Sequence, residues 1–412
     1  MDFPPMVNIT QTLVKQTISD PGGALDRELN RSGVLGGLAG RRVAVAVGSR
    51  NIDRLVEVLS RLVERLDDVG SSPFIVPAMG SHGNATAEGQ EGILRAMGID
   101  EERIGAPVVS SMETVPLGRT PGGSDAFMDR NALDADAIIV VNRVAPHTGY
   151  SGRVQSGVVK MLAVGLGKAD GAVALHRHGF SSGHLIGEAA DLAIDVAPPV
   201  TAVALVEDGT KSLSRLEVLR GDEIRSGEPV LLALACSMWP RIPVREADIL
   251  IVDEMGKDIS GTGMDPLVTG RGKDLPSGET HSFKARCVVA LALTPGSGGN
   301  ATGVGHADII TEKLYQEIDF QVTQRNVITS GALHRARIPI VAGSDREAVS
   351  MALSSLGGVS PEEARVVRIR NTRNLDEIQL STALTQELKA GEAGTVVGEA
   401  AELGFDEEGN IT

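Results

Sequence analysis

Four short apolar runs constrain this chain most. Each is rich in β-branched residues, and each leads into a polar cluster. Residues 42–47 (RVAVAV) lead to Gly48-Ser49-Arg50, and residues 73–76 (PFIV) to Met79-Gly80-Ser81-His82. Residues 137–141 (AIIVV) lead to the stretch from Asn142 to His147, and residues 249–252 (ILIV) to the stretch from Asp253 to Asp258. Uninterrupted runs of this length are expected of strands buried on both faces. Between them the apolar period changes to that of a helix: Leu55, Val58, Leu59, Leu62, Val63 and Leu66 mark one over 52–66. A second is expected over 85–97, capped by Asn84 or Thr86, and others over 154–164 and 169–176. Residues 200–206 make a further strand. Buried strands alternating with amphipathic helices specify an α/β fold with largely parallel sheets.

The chain has 412 residues, enough for two to three domains at ~150 residues each. Two prolines in Trp239-Pro240-Arg241-Ile242-Pro243 interrupt the pattern, and a second α/β series follows. Its strands are expected at 249–252, 285–293, 338–341 and 364–369, with a helix at 347–356. The reading is two α/β domains, 1–240 and 245–390, and an acidic tail, 391–412, that returns to one of the domains, the N-terminal one included, or frays. In open parallel sheets ligands bind beyond the carboxyl ends of the strands, at a switch in strand order. All four polar clusters would then meet in an interdomain active-site cleft.

Composition narrows the function. Lys and Arg number 39 against 54 Asp and Glu, a net charge of −15, and aromatic residues make up only 2%. So acidic a chain with so few rings for stacking argues against nucleic acid and against an anionic membrane surface as partners. Two cysteines, Cys236 and Cys287, are too few for an iron–sulfur cluster or a cysteine-rich zinc site, and fit a reducing compartment. The N-terminal residues lack a basic stretch followed by an apolar one, and no apolar stretch approaches the ~20 residues of a membrane span. A cytoplasmic protein is expected.

Four of the eight histidines stand in informative places: His82, His147, His176 and His178. His82 and His147 each follow a strand in glycine-rich sequence. A loop histidine bonded to its own backbone is the plainer explanation of either alone; the two together point to chemistry. His176 ends a helix, where a charged imidazole complements the dipole. Lys160 lies inside the apolar run Val158-Val159-Lys160-Met161-Leu162. It is either a lysine snorkelling at a helix edge or a desolvated amine able to act as nucleophile or covalent anchor. Gly165-Leu166-Gly167 with Gly171 misses the dinucleotide fingerprint by one residue and lacks a clear preceding strand.

At these residues the chain resembles the lactate racemase-like, nickel-pincer-nucleotide-dependent 2-hydroxyacid racemases and epimerases. Three blocks carry the resemblance: Met79-Gly80-Ser81-His82-Gly83-Asn84-Ala85-Thr86; Pro146-His147-Thr148-Gly149-Tyr150-Ser151-Gly152 leading through Ser156-Gly157 to Lys160; and Gly165 through His176. The resemblance implies a pyridinium-3,5-bisthiocarboxylic acid mononucleotide nickel cofactor, covalent on Lys160, with His176 as the protein ligand to nickel. It implies His82 and His147 as the acid–base pair. Ser156-Gly157, before a helix, would cradle the cofactor phosphate. A cation should hold the substrate carboxylate; Arg50 is the candidate in the first domain, Lys257 or Arg271 in the second. Cofactor-biosynthesis proteins are implied as partners, and a small-molecule 2-hydroxy acid as substrate.

The chain departs from lactate racemases in four places. Thr148-Gly149 follows His147 where aromatic residues are usual, the spacing from His147 to Lys160 is a few residues longer, the Ser49-Arg50-Asn51 block is short, and the Gly256 to Pro266 segment differs. These departures favour a 2-hydroxy acid other than lactate. Two other classes remain: a metal-dependent hydrolase or NAD-type oxidoreductase using the histidine cluster, and a non-catalytic small-molecule-binding relative.

Overall fold

The structure, a computed structural model, describes residues 2–147, 152–153, 155–179, 183–271, 283–388 and 394–412. Thr148 to Ser151 of the second sequence block, and Val154, lie outside the described residues. The chain divides into two compact units, one of Val14–Trp239 and one of Met1–Leu13 with Pro240–Thr412.

The Val14–Trp239 unit is built on a five-stranded sheet in the order Ser72–Pro77, Arg42–Val47, Ala137–Arg143, Val200–Glu207, Leu213–Arg220. The first four are parallel, and Leu213–Arg220 pairs antiparallel at the edge. Side chains alternate across this sheet. Val43, Val45, Val47, Ile139, Val141, Val203 and Leu205 join one core, with Leu25, Leu29, Val58, Leu59, Leu62 and Leu66 from the helices Pro21–Ser32 and Leu55–Asp68. Ala44, Ala46, Ile138, Val140, Ala202 and Ala204 join the other, with the segment from Val158 to Leu175 and the helices Gly183–Val196 and Gly221–Met238. The small alanines on that second face let the segment bearing Lys160 approach the sheet closely.

The chain passes from Arg42–Val47 outward to Ser72–Pro77 and then back to Ala137–Arg143. Strand order therefore reverses between Arg42–Val47 and Ala137–Arg143, and a crevice is expected at their carboxyl ends.

The second unit carries an eight-stranded mixed sheet in the order Ile340–Ala342, Ile309–Thr311, Lys284–Leu293, Glu246–Met255, Val366–Ile369, Glu377–Ser381, Pro5–Thr10, Thr395–Glu402. The first five are parallel and the last three antiparallel. This alters the boundaries read from the sequence. Pro5–Thr10 pairs with Glu377–Ser381 and Thr395–Glu402, so the first thirteen residues leave the 1–240 span. The strand Thr395–Glu402 of the acidic tail completes the same sheet. Both pairings join segments hundreds of residues apart, for which a local reading has no signal. Among the described residues no helix is long and apolar enough to cross a membrane.

Candidate active site

The polar clusters of three strands meet at the switch point. One pocket is lined by Ser49 and Arg50, by Met79 to His82, by Asn142 and His147, and by Ser156, Lys160 and His176. The described residues on its wall all belong to the Val14–Trp239 unit.

The local fold explains how these side chains converge. After Ser72–Pro77 the chain stays pinned to its neighbour, Ala78 N–H donating to Val47 C=O at 2.7 Å. It then turns at Gly80 (φ +63) and carries His82 outward. The next helix, Ala87–Ala96, is capped by Thr86, whose hydroxyl accepts from Gly89 N–H at 3.0 Å. Of the two caps read from the sequence, the structure uses Thr86. The ends of the loop after Ala137–Arg143 are drawn together by paired backbone bonds between Ala145 and Ser156, 2.8 and 3.2 Å. Gln155 Oε1 accepts from His147 N–H at 2.8 Å.

Lys160 ends one helical turn, Val158–Lys160, which passes into a π-helical turn, Met161–Gly165, closed by Leu166 N–H to Met161 C=O at 2.8 Å. Such turns recur at functional sites because the extra residue displaces side chains from the regular stripe. Gly165 is required here: a Cβ at that position would stand 2.6 Å from the carbonyl oxygen of Ala78. The segment resumes as Lys168–His176, which ends on His176.

Two contacts define the electrostatics. Ser49 Oγ lies 2.6 Å from His82 Nδ1. Lys160 Nζ lies 2.6 Å from His147 Nε2. Lysine has donors only, so His147 Nε2 accepts when Lys160 is an ammonium. Burial, and after it the positive charge of Lys160, pulls the His176 imidazole down to about 4. At neutral pH His176 is therefore uncharged, the form that donates to a metal. Arg50 makes no hydrogen bond or ion pair through its side chain among the described residues, whereas nearby Arg143 is paired with buried Glu207.

Three expected positions differ. Ser156 borders the pocket, but Gly157 lies behind its wall. The Glu228 carboxyl fills the start of that helical turn, Oε2 accepting from Val159 N–H at 2.9 Å. A Cβ at residue 157 would meet this carboxyl at 2.5 Å. Burial raises Glu228 to about 7, against the pull of the Val159 and Val158 amides. A carboxyl thus takes the place at Gly157 that the sequence assigned to a phosphate. Lys257 and Arg271 belong to the other unit. There Lys257 Nζ donates to Gly261 C=O and to Asn326 Oδ1, at 2.5 and 2.8 Å. Arg271 pairs with Asp308 and donates to the carbonyls of Ala285 and Arg286.

Sequence reading missed Ser49 as the partner of His82, and it missed Glu228. The second had a signal: Glu228 sits on the buried stripe Ile224, Leu231, Leu232, Ala235 of Gly221–Met238, where a charge is out of place.

The residues suit a tethered, metal-bearing cofactor. An amine and a neutral imidazole share the pocket. Among the described residues no group of three or more His, Cys, Asp or Glu could hold a metal.

Residues 35–184 match the family of the lactate racemase N-terminal domain. Among solved structures the fold is similar to the lactate racemase apoprotein from Thermoanaerobacterium thermosaccharolyticum, at 14% identity and a TM-score of 0.54, covering 89% of this chain and 98% of that one. It is also similar to a structural-genomics protein from Thermotoga maritima, at 14% identity and a TM-score of 0.51, covering 68% of this chain and 72% of that one. Comparison with curated protein sequences gives no match.

Proposed function

We propose that this protein racemises or epimerises a 2-hydroxy acid with a nickel pincer nucleotide attached to Lys160. One observation carries the reading: His82, His147, Lys160 and His176, separated by up to 94 positions along the chain, line a single pocket at the switch point of the sheet.

The residues divide the work as follows. Lys160 offers the amine for attachment, and His176 offers a neutral imidazole nitrogen to nickel. Ser156, which borders the pocket, offers a hydroxyl to the cofactor. When bound, the cofactor would supply a site that accepts hydride from the substrate carbon and donates it back. Arg50, which has no carboxylate partner among the described residues, binds the substrate carboxylate through two parallel hydrogen bonds. One histidine removes the hydroxyl proton as hydride leaves. The other histidine protonates the carbonyl oxygen of the planar 2-oxo acid as hydride returns to the opposite face of its carbon, giving the opposite configuration. Each imidazole suits both roles because its ordinary pKa lies near the working pH. A single base could not serve both enantiomers equally.

The departures at Ser49-Arg50-Asn51 support a substrate other than lactate. The protein depends on the proteins that make the cofactor. The test is intact mass and nickel content of protein produced together with that machinery, followed by a racemisation screen over 2-hydroxy acids. A cofactor adduct, one nickel per chain and turnover of a non-lactate hydroxy acid are expected. Protein that carries no adduct and turns over none of the acids overturns the reading.

A further inference from the structure

Behind the His82 loop lies a buried polar network that the proposed reaction does not use. Lys168 is fully buried, at the end of a turn where its own backbone is left-handed (φ +51). Its ammonium has three donors and three partners: Pro77 C=O, Gln90 Oε1 at 3.0 Å, and Asp129 Oδ2 in an ion pair at 3.1 Å. Asp129 is also fully buried, and its other oxygen caps the short helix Arg130–Leu133 through Ala132 N–H at 3.0 Å. Gln90, buried as well, turns its amide the opposite way: Nε2 donates to Gly80 C=O at 2.7 Å and to His82 C=O at 3.3 Å.

The order of these groups has a physical direction. The ammonium accepts nothing, so it compels Gln90 to present Oε1 to it. The amide then has only donors to offer the two carbonyls of the His82 loop. Asp129 in turn fixes the ammonium. Burial pushes the Asp129 carboxyl up and the Lys168 amine down, despite their mutual attraction. The pair therefore costs the fold something that apolar side chains of similar size would not.

We propose that Gln90, oriented by the Lys168–Asp129 pair, is a positioning residue for His82. Through the carbonyls of Gly80 and His82 it fixes the loop that holds the imidazole against Ser49. The kinetic consequence rests on His82 acting as an acid–base group. The positioning does not, and it is read on the full chain without cofactor.

The test is nitrogen-15 NMR of the histidine side chains, with His82 assigned through His82→Gln. Gln90→Met and the double variant Asp129→Leu/Lys168→Met are compared with Leu62→Ala, which opens a cavity in the other core of the same unit. The double variant removes the pair without leaving a lone buried charge. The expected result is a shift of the His82 ring nitrogens toward an average of the two tautomers in both network variants, with His176 unmoved and His82 unchanged in Leu62→Ala. If Gln90→Met does not fold, Gln90→Glu, nearly isosteric but without the amide donors, decides the same question. Folded network variants whose His82 signals match the wild type overturn the proposal, as does an equal shift in Leu62→Ala. Loss of turnover with unchanged His82 signals would not rescue it. A verified shift in a chain that racemises nothing would sink only the functional reading.

Discussion

The amine of Lys160 and Nε2 of His147 stand 2.6 Å apart, so the proposed attachment point and one proposed base are direct partners before any cofactor arrives. Converting the amine to an amide-type linkage removes its charge, and with it the ammonium that holds His147. Lys160→Ala and Lys160→Arg should both lose the covalent adduct, although the arginine keeps the charge. Intact mass spectrometry of protein made with the cofactor machinery measures this directly. An adduct on either variant would place the tether elsewhere.

If His82 and His147 serve opposite enantiomers, neither can be dispensed with. Replacing either by Gln should slow racemisation about a hundredfold or more, in both directions. Chiral chromatography started from each pure enantiomer reports both rates. Wild-type rates in both single variants would refute the acid–base assignment.

Glu228 and His176 pull stability in opposite directions with pH. The Glu228 carboxyl is raised to about 7 in the fold, so the native state binds more protons than the unfolded chain between the ordinary carboxylate range and neutrality. Stability from this group is present at low pH and is lost as pH rises toward 7. His176 is lowered to about 4, so here the unfolded chain binds more protons, and stability grows as pH rises from about 4 toward 6.5. Gln at position 228 keeps the acceptor for Val159 N–H and removes the titration. Glu228→Gln should therefore gain on the wild type by about 2 kcal/mol between pH 5 and pH 8. Urea denaturation at several pH values measures the gap, and a constant gap would mean that Glu228 does not titrate there.

Breaking the Lys168–Asp129 pair and replacing it are different experiments. Asp129→Ala strands a buried ammonium and should cost about 3–5 kcal/mol. Asp129→Leu/Lys168→Met removes both charges and should stay near the wild type, because the pair's own burial cost disappears with it. Denaturation midpoints of the two variants give the comparison. A double variant as unstable as Asp129→Ala would show that the pair itself stabilises the fold.

The sequence made much of the sheet legible for one reason. Arg42–Val47 and Ala137–Arg143 are buried on both faces, and such strands read as unbroken apolar runs. Leu213–Arg220 escaped notice because, as an edge strand, it carries the polar residues Ser214, Arg215 and Glu217, none of them buried. The helix Gly221–Met238 was hidden by Gly227 and Pro229, which read as breakers. Residues of the site that end strands or lie in glycine-rich loops, His82 and His147 among them, stood out locally. Lys168 and Gln90 did not. Their importance comes from which carbonyls face them, and that is set by packing between segments far apart in the chain.

The pairing of Pro5–Thr10 with strands near the far end of the chain also dictates an order of events during synthesis. The Val14–Trp239 unit is continuous and holds its whole sheet within its own span, so it can collapse while the ribosome is still translating. The other unit has to keep its opening strand waiting, unpaired, until residues 377–402 have emerged. Slow pauses in translation after residue 239 should therefore be harmless to the pocket, and costly only to the sheet that begins and ends the polypeptide.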